Sequence, residues 1–84
     1  MFLGWYDPDK KKPARLKLAE AIERYAEKFG AAPEACLTSP TDAAELAADA
    51  KAPALPVRAA GYIPRSTFYV GVEDEPAPAL AAAA

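Results

Sequence analysis

The chain has 84 residues with 12 acidic and 10 basic side chains, no histidine and one cysteine. That length allows one domain, and a net charge of −2 gives no general argument for nucleic acid or an anionic membrane. The lone cysteine excludes an internal disulfide and fits a reducing compartment, and no apolar run reaches the roughly 18 residues a membrane helix needs.

The apolar fraction of 52% overstates the core, because 22 of these residues are alanines that bury little area each. A domain of this size is marginal on its own, so a protein partner or self-association is expected. Charge is uneven. Residues 1–33 carry seven basic and five acidic side chains, and residues 34–84 carry three and seven. In "MFLGWYDPDKKKP" the cations follow the apolar residues, the reverse of a secretory signal. The expected location is cytoplasmic, away from any membrane.

In chain order, "MFLGWY" reads as a short strand, the alternative being an extended arm that docks by its aromatics. "DPD" is a turn, since proline presets φ and aspartates bond local N–H groups. Residues 13–29 have helical spacing: Leu18, Ile22, Tyr25 and Phe29 make one stripe, Pro13 suits the first turn and Gly30 the stop. Ile22 is expected to be buried against Phe68 and Val70. Glu20 and Arg24 are set four apart for an ion pair. A short strand is expected around Leu37. Ser39 and Pro40 then open a second helix with Asp42 near its positive end, and Ala43, Leu46, Ala47 and Ala50 form its thin apolar face. "KAPALP" ends that helix. Residues 57–62 and 67–73 read as two antiparallel strands joined by a wide turn.

The expected fold is therefore α/β (or α+β): a single small domain over 1–75 in β-α-β-α-β-β order. Its sheet is mixed, with three to four strands and both helices on one face. Residues 76–84 are a low-complexity Ala/Pro tail. The order differs from the β-α-β-β-α-β of the RNA-recognition fold, and no family with a known activity is specified by these residues.

Most catalytic equipment is missing. Without histidine the commonest general base and neutral metal ligand are gone. Cys36 has no imidazole to activate it and reads as a small core residue. The four glycines, Gly4, Gly30, Gly61 and Gly71, form no phosphate loop. Asp7 and Asp9 fit a turn better than a cation site. No enzyme activity, cofactor or metal is expected.

Two surfaces remain as candidates. Alternation turns Arg58, Tyr62 and Tyr69 to the face opposite the helices, and with Arg65 they form a candidate partner-binding set, because tyrosine and arginine are favoured at interfaces. The stretch "STFYVGV", residues 66–72, is expected to meet the partner by its outer face or its free edge, with Glu73, Asp74 and Glu75 guarding that edge. Lys10, Lys11, Lys12 and Arg15 lie before or within the first turn of a helix, where cations oppose the dipole unless an anion binds. They are candidate anion-binding residues. The functional expectation is a non-catalytic protein-interaction or assembly module, possible as a homo-oligomer. The alternative is an accessory single-stranded nucleic-acid binder using the Lys10–Lys12 run and the Tyr/Arg sheet face.

Overall fold

The helices form where caps and periodicity specify them. In the computed structural model, which describes residues 2–72, α1 spans Ala14–Phe29 and stops at Gly30, whose φ of 75° is left-handed. Helix α2 spans Pro40–Ala48, and the Ser39 hydroxyl caps it by accepting from the Asp42 N–H. Strands β1 (Phe2–Tyr6), β2 (Ala35–Thr38), β3 (Val57–Ala59) and β4 (Thr67–Gly71) complete the order β-α-β-α-β-β. No helix among the described residues is long and apolar enough to cross a membrane. Glu73, Asp74, Glu75 and the 76–84 tail lie outside the described residues.

The four strands form one mixed sheet in the order β1-β4-β2-β3. β4 runs antiparallel to both β1 and β2, and β2 runs parallel to β3. The expected β3–β4 pairing does not form, because β2 lies between them. Burial explains the placement. β4 carries Phe68 and Val70, both fully buried, and a central strand covers more apolar area than an edge strand. β3 offers only Val57 to the core and takes an edge. β4 therefore has no free edge, and the expectation that it meets a partner by one is corrected.

Alternation sends Leu3, Trp5, Cys36, Val57, Phe68 and Val70 to the helix side, where they join Ala14, Leu18, Ala21, Tyr25 and Leu46 in one core. The α1 stripe is rotated from the expected one. Ala14, Leu18, Ala21 and Tyr25 face the sheet, while Ile22 is half-buried and Phe29 is exposed. Small Ala14 and Ala21 let the helix approach the strands closely, which moves Ile22 to the flank. On α2, Leu46 is buried, but Ala47 is exposed, and Ala50, also expected on this face, is exposed and lies beyond the helix end.

Candidate functional site

The first candidate surface is the sheet face away from the helices. Register places Arg58, Leu37, Tyr69 and Gly4 in one row across all four strands. Tyr69 folds its ring over Gly4, so that a Cβ at Gly4 would come within 2.9 Å of the ring. The ring thus replaces the packing a glycine cannot supply on an edge strand. Tyr62 is not on a strand: it sits in the turn after β3 and is 83% exposed. Its neighbour Ile63 is buried, and both line a shallow depression with Phe2, Leu37, Pro64 and Tyr69. The loop thus covers part of the face that the sequence leaves open. Neither Tyr62 nor Tyr69 is buried under the helices. Arg65 parts from this group and lines a different cavity, with Lys10 and Lys11.

The outer edge of the sheet is β1. The Asp7 N–H donates to the Ser66 carbonyl at 3.0 Å, one step beyond the Tyr6–Thr67 pair. Bonded pairs recur every second residue in an antiparallel ladder, so Leu3 and Trp5 bond β4. The backbone groups of Phe2, Gly4 and Tyr6 point away from the sheet, and no described strand pairs with them. The indole N–H of Trp5 is buried with no acceptor among the described residues. It lies beside Leu3, Gly4, Arg24, Glu27 and Lys28, which line a depression along this edge.

The second candidate surface lies where the β1–α1 turn, the start of α1 and the β3–β4 loop meet. The lysine run is divided there. Lys12 Nζ bonds Glu20 at 2.8 Å and Asp7 at 3.1 Å. These carboxylates, Glu20 first, raise the Lys12 pKa. Asp7 is held below the usual range, chiefly by the Asp9 N–H and then by Lys12. Arg15 pairs with Asp49 at 3.0 Å. The expected Glu20–Arg24 pair is not made, since Glu20 takes Lys12 and Arg24 lies over the Trp5 ring. The Ala14 N–H at the helix start donates to Glu45 at 2.8 Å, so α2 supplies the carboxylate that relieves the dipole.

Lys10, Lys11 and Arg65 make no ion pair among the described residues, and they border a cavity of about 590 Å³ together with Lys12, Lys17 and Ser66. Lys17 and Ser66 were not singled out from sequence. The available signal was Lys17 itself, a lysine inside the apolar stripe between Ala14 and Ala21.

Burial, with the charge of Asp42, pushes the Cys36 thiol up to about 12, so it is a poor nucleophile. Among the described residues no three acids or cysteines converge on a metal position. Comparison with known proteins returns no match to a family model, a curated protein or a solved structure.

Proposed function

We propose that the chain is a small non-catalytic assembly module that associates with a second copy of itself through β1. The observation that carries this reading is the edge itself. Phe2–Tyr6 has no charge and no proline, and its outward N–H and C=O groups lack strand partners among the described residues. Such an edge is a template for another strand. The opposite edge is different: β3 has three residues, is centred on Arg58 and follows Pro56, all features that blunt pairing.

A two-fold axis through Gly4 makes the contact self-complementary. Antiparallel pairing then sets Gly4 against Gly4 and Phe2 against Tyr6 of the partner subunit as hydrogen-bonded pairs. On the helix side it sets Leu3 against Trp5 of the partner subunit, which extends a thin core across the interface. Arg24, Glu27 and Lys28 beside this edge sum to only +1 per copy, a small charge that salt screens. The outer faces of both copies join, so Tyr69 and Tyr62 of each would lie on one surface.

Amide hydrogen exchange tests this reading. The Gly4 N–H, which has no partner within the described chain, is expected to exchange slowly in concentrated protein and quickly on dilution. Tyr6→Lys should keep the fold, because Tyr6 is 63% exposed, and should restore fast exchange at Gly4 at every concentration. Exchange at Gly4 that is fast and independent of concentration in the unmodified chain would refute the proposal.

A further inference from the structure

We infer that the cavity between the start of α1 and the β3–β4 loop binds a phosphate monoester with an organic body, of the nucleotide class. Lys17 is the first support. It is only 5% exposed, its Nζ donates to Ser66 Oγ at 3.1 Å, and it enters no ion pair among the described residues. Asp7 acts on it only through space, without an ion-pair contact, so this buried ammonium is less fully compensated than buried ions normally are.

Ser66 is the second support. Its N–H donates to Asp42 Oδ2 at 2.7 Å and its carbonyl accepts from the Asp7 N–H. Its hydroxyl oxygen accepts from Lys17, while the hydroxyl proton has no acceptor among the described residues. These contacts hold it at a φ of 67°, in the left-handed region. Non-glycine residues held there concentrate at ligand sites.

The charge count agrees. The cavity is lined by five cations and only two carboxylates, Asp42 and Glu45. Both acids are engaged: Asp42 accepts from Ser39 and Ser66, and Glu45 accepts from the Ala14 N–H. What remains toward the cavity is Lys10, Lys11, Lys17, the Arg65 fork and the Ser66 hydroxyl, a donor set suited to a dianion with several acceptor oxygens. Lys12 and Arg15, the other half of the basic cluster read from sequence, are held in ion pairs. The volume lies within the range of small-molecule sites, and the exposed Tyr6 ring at its border offers a face for a base to stack on. The inference does not depend on self-association.

The test is a titration of the isotope-labelled full chain with inorganic phosphate, adenosine monophosphate and adenosine, followed by amide shifts. Saturable shifts at Lys17, Arg65 and Ser66 are expected with phosphate and, more tightly, with the monophosphate, and none with adenosine. Arg65→Gln should weaken binding roughly tenfold, the worth of one charge-assisted hydrogen bond, and Lys17→Met should abolish it. If Lys17→Met does not fold, the double variant Lys10→Gln, Arg65→Gln serves, and binding unchanged in it overturns the inference. Absence of saturable shifts at millimolar phosphate and monophosphate also overturns it. So does a single-stranded oligonucleotide that binds far more tightly than the monophosphate, with a salt dependence of several charges. That result would make the cavity part of a nucleic-acid track.

Discussion

Cys36 shows what burial does to a single side chain. It stands in register with Val57 on one side and Val70 on the other and is 1% exposed. Its thiol pKa rises from 9.0 to about 12, first through desolvation and then through the Asp42 charge. Below pH 9 the thiol is neutral in both folded and unfolded chains and stability is unaffected. Above pH 9 the unfolded chain ionises and the folded chain does not, so stability falls until the pH reaches the folded value. Denaturant unfolding should therefore show the unmodified chain losing stability between about pH 9 and 12 relative to Cys36→Ala, which has no thiol to titrate. Parallel curves for the two proteins would contradict this assignment. Sequence placed Cys36 correctly as core. It did not reveal Ser66, because a left-handed serine is set by its bonds to Asp7, Lys17 and Asp42, which lie far from it in the chain.

Among the elements, helices were more legible than strands. The caps at Ser39 and Gly30 are local chemistry and can be read without knowing what the helix packs against. The rotation of α1 was not legible, because both stripes satisfy the same period and the sheet selects the one with small residues. The choice has an energetic consequence. Leu18→Ala removes a fully buried side chain and should cost about 2–5 kcal/mol. Ile22→Ala, on the half-buried flank, should cost clearly less. Thermal or denaturant unfolding of both variants checks the order, and an equal or larger loss for Ile22→Ala would return the helix to the expected orientation. Pairing of β4 with β1 and β2 instead of β3 was hidden for another reason. Strand partners are chosen by total burial, and only the assembled sheet shows that Phe68 and Val70 claim the centre.

At the scale of the molecule, the α+β class, the element order and the single sheet with both helices on one face followed from the sequence. The edge on which the proposed interface rests did not. Tyr62 and Tyr69 drew attention because of their residue type, yet Tyr69 is partly committed to covering Gly4. The uncharged strand at the start of the chain turned out to be the open edge. Its significance depends on β4 lying beside it and on no described strand lying beyond it. A domain with a core this small would gain from the additional apolar area that the proposed second copy would bury. Mass in solution, by sedimentation equilibrium over a wide concentration range, tests the claim most directly. The account predicts that the mass rises from 8.9 kDa toward twice that value as concentration increases, and that Tyr6→Lys holds it at the lower value. An unmodified chain that stays at 8.9 kDa across the whole range would contradict it.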